Sequence, residues 1–328
     1  MPLSSPAIAT IIHQFGRADE VIEIYDQALP QPAADEVVVQ MQMSAINPSD
    51  LITISGAYRS RIALPFQPGY EGVGVVIACG DRVAHLRPGM RVLPIGIAGS
   101  WSCYKVTPAH WCFPISDQLS TEQAATLYVN PATAWLMLHE RAQVQPGMNI
   151  VISAGASAIG RMMIRMLNRL GIKPIVTIRN RTSMLRLQAF ALEAMLVTDE
   201  PDFDKALKPQ SVDLVLDAVG GAIGARLAQA LKPGGQFIHY GLLSGQPLPS
   251  HIHTLVADMR FELFVLRNWI HQAEKSRIHE LFQTLEPLML ADIVSSDIDS
   301  IMPLADIHWA LARVNDNEHK GKVLLRNL

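Results

Sequence analysis

The stretch from Val151 to Arg181 constrains this chain more than any other. An apolar run, Val151-Ile152-Ser153, leads into a turn bearing Gly155 and Gly160. Some ten helix-forming residues follow, and a second apolar run, Pro174 to Ile178, ends beside Arg179 and Arg181. Strand, glycine-bearing turn, helix and strand in that order form the unit from which doubly wound parallel sheets are built. Such a turn exposes backbone N–H groups at a helix N-terminus, where the partial positive charge suits a pyrophosphate. Gly155, Ala156, Ser157, Ala158, Ile159 and Gly160 are the candidates.

Nineteen residues beyond Gly160, where a site for the unphosphorylated dinucleotide usually places an Asp or Glu on the ribose hydroxyl, stands Arg179. An acidic side chain repels a 2'-phosphate, whereas a guanidinium pairs with it. The cofactor expected is therefore NADPH, with Arg179 and Arg181 on its 2'-phosphate. The plain alternative is an ordinary β–α connection with no ligand.

Length and charge bound the rest. The 328 residues suggest two domains, and 49% apolar content supplies two cores. A net charge of -3 argues against nucleic acid as a partner. The N-terminus lacks the residue order of a secretion signal and no apolar run reaches membrane length, so a cytoplasmic protein without a membrane partner is expected. Cys79, Cys103 and Cys112 are too few and too scattered for a disulfide framework or a four-sulfur zinc lobe, and read as buried or bystander thiols.

Before residue 125 the pattern is β-rich, with strands expected at Glu36–Met43, Gly72–Ala78 and Arg91–Pro94 between Pro-Gly and Gly-Asp punctuation. A helix is expected from Ser120 as N-cap through Ala124 to Leu138. Strands and helices then alternate at Asn149–Ser153, Ala158–Leu170, Pro174–Ile178, Ser183–Phe190, Val212–Ala218, Ile223–Leu231, Gln236–Tyr240 and Phe261–Leu266. A helix at His271–Leu285, stopping short of Pro287, and a strand at Gly321–Leu325 complete the chain. Met162, Met163 and Met166, at helical spacing among apolar neighbours, read as core.

Ile46-Asn47-Pro48-Ser49-Asp50, Gly56-Ala57-Tyr58, Pro68-Gly69-Tyr70-Glu71-Gly72-Val73-Gly74, Val129-Asn130-Pro131-Ala132-Thr133-Ala134 and Gly321-Lys322-Val323-Leu324 resemble, in order and over nearly the whole chain, the medium-chain dehydrogenase/reductase superfamily. The resemblance is strongest to its zinc-free enoyl thioester reductases of the mitochondrial trans-2-enoyl-CoA type, with quinone oxidoreductases as near relatives. It implies an α/β protein: a GroES-like, β-rich catalytic domain at 1–124 and 270–328 around a Rossmann domain at 125–269, with a small-molecule substrate in the cleft between them. Where zinc alcohol dehydrogenases of the superfamily carry a ligand cysteine and histidine, this chain has Asn47 or its neighbours and Tyr70, so no metal is expected. His251 and His253 lie two apart and read as exposed loop histidines.

Without a Lewis acid, a simple alkoxide has no strong stabiliser, but a conjugated acceptor spreads its charge into an enolate that one or two hydrogen-bond donors can steady. The expected reaction is thus NADPH-dependent reduction of an activated carbon–carbon double bond, in a 2-enoyl thioester or related enone. A quinone reductase, or a non-catalytic NADPH-binding redox sensor, are the alternatives. Tyr58 matches the catalytic tyrosine of the enoyl thioester reductases' Gly-x-Tyr motif, and a phenol can donate at neutral pH; it could otherwise pack as an aromatic loop residue. Asn47 is a supporting hydrogen-bonder or a turn former before Pro48. The resemblance also assigns to the cofactor Asn130 and Thr133 on the nicotinamide half, Tyr240, Gly241, Leu242 and Leu243 at a strand end, Phe264, Val265 and Leu266 near the nicotinamide, and Lys322. Tyr240 and Phe264 could equally be sheet core. Val265 stands where the enoyl reductases carry a tryptophan, which implies a wider pocket. Arg59 and Arg61 either meet phosphates or stay solvated. A homodimer through an edge strand at Arg260–Leu266 is expected.

Overall fold

The computed structural model describes residues 6–316 and 320–327; residues 1–5, 317–319 and 328, which fall within the expected ranges 1–124 and 270–328, lie outside the described residues. The chain forms two compact units, Met1–Val129 with Ile270–Leu328, and Asn130–Trp269.

In the first unit, β1 (Ile8–Ile12), the single turn α1 (Ala18–Val21) and β2 (Ile22–Asp26) make an antiparallel pair. The spine of the main sheet is β3 (Glu36–Ala45), followed by the short helix α2 (Pro48–Ile54). Antiparallel pairing joins β4 (Gly72–Cys79) to β3, β5 (Arg91–Pro94) to β4, β6 (Tyr104–Pro108) to β3, and β7 (Cys112–Pro114) to β5. Val37, Val39 and Met41 of β3 share a core with Val76, Val92 and Cys112. Gly74 interrupts the valine run of β4 because a Cβ there would lie 2.5 Å from the Gln40 carbonyl oxygen. The three cysteines are free, Cys103 and Cys112 buried and Cys79 partly so.

The helix expected from Ala124 to Leu138 is not continuous. Ser120 caps its start, accepting the Gln123 N–H at 3.1 Å while Gln123 Oε1 accepts the Ser120 N–H at 2.9 Å. But α3 (Thr121–Ala125) stops where the Thr126 hydroxyl turns back onto the Glu122 carbonyl at 2.9 Å. Pro131 lacks an N–H and is best accommodated in a first turn, and the chain restarts as α4 (Val129–Trp135) before widening into a π-turn over Leu136–Arg141.

The second unit continues through β8 (Ile150–Ile152), α5 (Ala158–Arg169), β9 (Ile175–Ile178), β10 (Ala194–Val197), α6 (Phe203–Ala206), β11 (Val212–Asp217), α7 (Gly221–Ala228), β12 (Leu231–His239), β13 (Arg260–Leu263) and α8 (Leu266–Gln272). Its strands pair in parallel in the order β10-β9-β8-β11-β12-β13. Renumbered from β8, this is the 3-2-1-4-5-6 order of a Rossmann sheet, which changes direction between β8 and β11. Met162, Met163 and Met166 are buried on α5, as their spacing predicts.

Four expected boundaries move. Ser183–Phe190 is not an α-helix but follows 3₁₀ turns over Arg181–Leu187, because with Leu185 exposed and only Leu187 buried it has no apolar stripe to pack. Leu231 belongs to β12, not to α7, pairing with Val212 before a bulge. The strand expected through Leu266 ends at Leu263. Phe264, Val265 and Leu266 turn into α8, an ambiguity inherent in a short apolar run. As the chain returns to the first unit, α9 (Lys275–Leu290) runs through Pro287 rather than stopping before it.

That first-unit segment is completed by β14 (Ile298–Pro303), α10 (Ile307–Asn315) and β15 (Lys322–Arg326), the last pairing parallel with β14 and antiparallel with β3. Leu324 faces Ala45 across β15 and β3, which brings Lys322, two residues earlier, abreast of Asn47. No helix of the described residues is long and apolar enough to cross a membrane.

In α9, burial of Ile278, Leu281, Phe282, Leu285 and Met289 on one face outweighs the missing Pro287 N–H, and Phe282 packs against Phe113 and Tyr128 with ring centres 5.6 and 6.2 Å apart. Pro287 itself is exposed. Pro287→Ala restores a helical donor at no packing cost and is expected to raise stability by about 1–2 kcal/mol, partly offset by a freer unfolded chain. A lower melting temperature would show that the proline is holding a local geometry instead.

Candidate active site

In the second unit the glycine turn is shaped by close packing. Gly155 donates its N–H to the Thr177 carbonyl at 2.8 Å, and a Cβ on it would lie 2.7 Å from Val176 Cβ. A Cβ on Gly160 would lie 2.7 Å from the Gly155 carbonyl oxygen and 2.8 Å from that of Ala154. Ala154 itself sits at φ 50, a conformation non-glycine residues rarely adopt. Ser157 caps α5, its hydroxyl accepting the Gly160 N–H at 3.1 Å, while its own N–H goes to the Ala154 carbonyl at 2.9 Å. The N–H groups of Ala156, Ala158 and Ile159 find no acceptor among the described residues. Three unspent donors at the start of a twelve-residue helix fit a pyrophosphate.

The two arginines are not equivalent in their surroundings. Arg179 is exposed at the end of β9 with no side-chain partner among the described residues. Arg181 donates Nε to Glu200 Oε1 at 2.5 Å in an exposed ion pair. A bound phosphate must compete with that carboxylate for Arg181 but not for Arg179.

Sequence reasoning missed the group that holds this edge of the sheet. Asp217, at the end of β11, is fully buried and accepts four hydrogen bonds. Its Oδ1 takes the Ser153 hydroxyl at 2.9 Å and the Val219 N–H at 3.0 Å; its Oδ2 takes the Gly220 N–H at 3.0 Å and His239 Nδ1 at 2.8 Å. Ser153 Oγ in turn accepts the Ala218 N–H at 2.7 Å. The available signal was an aspartate closing the apolar strand Val212–Leu216 ahead of Gly220-Gly221.

Around this hub lie the other expected cofactor residues. Tyr240 donates its N–H to the Asp217 carbonyl at 2.9 Å, and its hydroxyl is buried with no partner among the described residues, so burial, then the Asp217 charge, holds the phenol well above its usual range. A Cβ on Gly241 would lie 2.9 Å from the Ala218 carbonyl oxygen. Leu242 and Leu243 are exposed. Phe264 is buried, its N–H on the His239 carbonyl at 2.8 Å and the Arg141 guanidinium 6.0 Å from its ring centre. Val265, Leu266 and Asn130 are half-buried and Thr133 buried. His251 and His253 are exposed on a 3₁₀ turn, His253 edge-on to Phe261.

In the first unit Tyr58 is 43% exposed, in turns following α2, with no side-chain partner among the described residues. Gly56, at φ 86, lets the chain turn there against Phe15. Arg59 and Arg61 are exposed beside it, Arg59 bonded to the Gly56 carbonyl. Asn47 and Lys322 are bonded to each other. Asn47 is fully buried, its Nδ2 donating to Glu71 Oε2 at 2.8 Å and its Oδ1 accepting from Lys322 Nζ. Each end of the carboxamide thus has one partner within the protein, which fixes its orientation. Lys322 is buried against Asn47, and desolvation lowers its pKa. Glu71 Oε1 accepts the N–H groups of Tyr128 and Val129 at 2.9 and 2.6 Å, fixing the start of α4.

These residues do not suit a zinc ion. Asn47 is a neutral carboxamide whose oxygen already faces an ammonium, Tyr70 stands where the resemblance puts a histidine, and among the described residues no group of three or more His, Cys, Asp or Glu side chains is gathered to hold a metal.

Asp50 completes the network, accepting the Asn47 N–H at 2.8 Å and the Tyr70 N–H at 3.1 Å. Burial pushes its carboxyl up to about 7 against the pull of those N–H groups and Lys322. An unfolded aspartate titrates near pH 4, so between about pH 4 and 7 the folded protein keeps a proton that the unfolded chain has released. The stability contributed is complete below that window and lost as pH rises through it. The melting-temperature gap between wild type and Asp50→Asn is expected to narrow from pH 5 to pH 8; a constant gap would mean that Asp50 does not titrate there.

Residues 33–117 match the alcohol dehydrogenase GroES-like domain, and residues 191–325 the zinc-binding dehydrogenase family. The rat mitochondrial enoyl-[acyl-carrier-protein] reductase is 31% identical over 313 residues, covering 92% of this chain and 84% of that protein. A Bacillus thuringiensis protein provisionally described as an NADPH:quinone reductase superposes with a TM-score of 0.92 at 32% identity, over 98% of this chain and 99% of that one. Escherichia coli quinone oxidoreductase, solved with NADPH, shares the fold at a TM-score of 0.89 and 23% identity, over 98% and 100% of the two chains. With a GroES-like unit, a Rossmann sheet and relatives aligned over nearly its whole length, the chain belongs to the medium-chain dehydrogenase/reductase superfamily, alongside the mitochondrial enoyl thioester reductases.

Proposed function

We propose that this protein is an NADPH-dependent reductase of activated carbon–carbon double bonds, acting on a 2-enoyl thioester or related enone. The observation that carries the cofactor half is the set of unspent N–H groups of Ala156, Ala158 and Ile159, one strand away from the unpaired Arg179. The enoyl reductases among its relatives support the substrate half.

When bound, the reduced nicotinamide supplies hydride to the β carbon of the acceptor. The residues of this chain bind and orient. The α5 N-terminus holds the pyrophosphate, Arg179 discriminates for the 2'-phosphate, and Tyr58 donates a hydrogen bond to the carbonyl oxygen on which enolate charge develops. A positioned donor of that kind lowers the barrier by about 3–4 kcal/mol. Tyr58 has the required chemistry because its side chain is exposed and its hydroxyl is not spent inside the protein. The quinone-reductase relative supports a second reading in which the same donor meets a quinone oxygen.

Mixing the protein with NADPH and a panel of crotonyl thioesters, enones and quinones, and following the reduced-nicotinamide absorbance, separates these readings. Tyr58→Phe is expected to lower the enoyl rate roughly 100-fold with NADPH affinity unchanged; an unaltered rate removes Tyr58 from the mechanism. Arg179→Gln is expected to weaken NADPH about tenfold or more while leaving NADH unaffected, since a charge-assisted bond to phosphate is lost. Equal losses on both nucleotides would place Arg179 outside the 2'-phosphate site.

A further inference from the structure

The Asp217–His239 pair has a feature that the Rossmann frame does not require. Asp217 takes two backbone N–H groups, one on each oxygen, as well as the Ser153 hydroxyl, so it faces His239 as an acceptor and His239 Nδ1 must carry the proton. The imidazole is thereby held in one tautomer and one orientation, packed over the turn at Gly220, whose Cβ would lie 3.4 Å from His239 Cε1. In the neutral ring Nε2 is then a lone-pair acceptor. That atom makes no hydrogen bond among the described residues, yet it is not sealed, and the side chain keeps 10% exposure. An oriented imidazole with a vacant acceptor, at the carboxyl end of a parallel strand, is built to receive a donor from a ligand.

The sheet order says which part of a ligand. Arg179 ends β9, one strand to one side of the β8 turn; His239 ends β12, two strands to the other side, beyond β11. A dinucleotide with its pyrophosphate on the β8 turn and its 2'-phosphate toward β9 must send its other half over β11 and β12. We propose that His239 Nε2 accepts a hydrogen bond from a hydroxyl of the nicotinamide-side ribose, making His239 a cofactor-binding residue oriented by Asp217. This rests on the NADPH reading above and adds to it a contact on the half of the nucleotide that the phosphate groups do not reach.

The test separates the two nitrogens. Asparagine places an N–H near the position of Nδ1 and keeps the Asp217 bond, but has nothing at the position of Nε2. His239→Asn is therefore expected to weaken NADPH about 5–10-fold, the loss of one hydrogen bond, and to leave 2',5'-ADP, which lacks the nicotinamide half, unchanged. His239→Gln, whose carboxamide reaches the Nε2 position but gives up Asp217, is expected to restore part of the ratio of the two affinities. Reading that ratio, by nicotinamide fluorescence for NADPH and calorimetry for 2',5'-ADP, keeps the outcome independent of any loss of folded protein. An unchanged ratio in His239→Asn overturns the assignment, as does an equal loss on both ligands. Wild-type protein that binds neither ligand overturns the NADPH reading itself.

Discussion

A single buried carboxylate organises the carboxyl edge of the Rossmann sheet. Asp217 has no exposure and four donors, which reach it from three separate segments. Ser153 continues from β8, Val219 and Gly220 open the turn into α7, and His239 closes β12. Leaving any of these groups buried and unpaired costs about 1–3 kcal/mol, and a carboxamide has only one acceptor oxygen to offer four donors. Three segments expected to touch the cofactor are anchored here. The glycine turn follows Ser153, Tyr240 is bonded to the Asp217 carbonyl, and Phe264 hangs from the His239 carbonyl. The hub also explains why Gly224 is glycine, since a Cβ there would lie 2.8 Å from Asp217 Oδ2.

The first unit solves a similar problem by similar means. Glu71 and Asp50 spend their oxygens on backbone N–H groups as well as on Asn47, and Lys322 supplies the compensating charge from a strand added at the other end of the chain. Buried ionic groups seldom add net stability, because desolvation offsets attraction. Their use here is geometric. One oxygen of the Glu71 carboxylate holds the N–H groups of Tyr128 and Val129, where α4 begins. Lys105 follows the same logic without a carboxylate, its ammonium spent on the Pro94 and Ile97 carbonyls and the Ser100 hydroxyl, which staples the loop after β5.

What could be read from the sequence was local. The apolar run of β3, the Ser120–Gln123 capping box and the strand–turn–helix around Gly155 each carry their own local signal. What could not be read depended on distant partners or on weak local competition. Ser153 and Asp217 are 64 residues apart and Asn47 and Lys322 are 275 apart, so no spacing rule connects them. Asn47 and Lys322 are a site pair by motif, yet burial turns them toward each other. Arg181 carries the same charge as Arg179, and only the position of Glu200 distinguishes them. Thr126 broke a helix through a hydroxyl that helical periodicity does not weigh.

The distribution of polar groups between exposed and buried positions bears on the chemistry. Groups that could carry strong local charge at the superfamily's metal-ligand position are instead neutralised in place, with the Asn47 carboxamide held between an ammonium and a carboxylate. Tyr58 offers a single neutral donor from an exposed turn. One such hydrogen bond matches an enolate, whose charge is shared between carbon and oxygen, far better than a localised alkoxide. In the proposed reaction, a lone donor of this kind suits substrates whose own conjugation carries most of the developing charge.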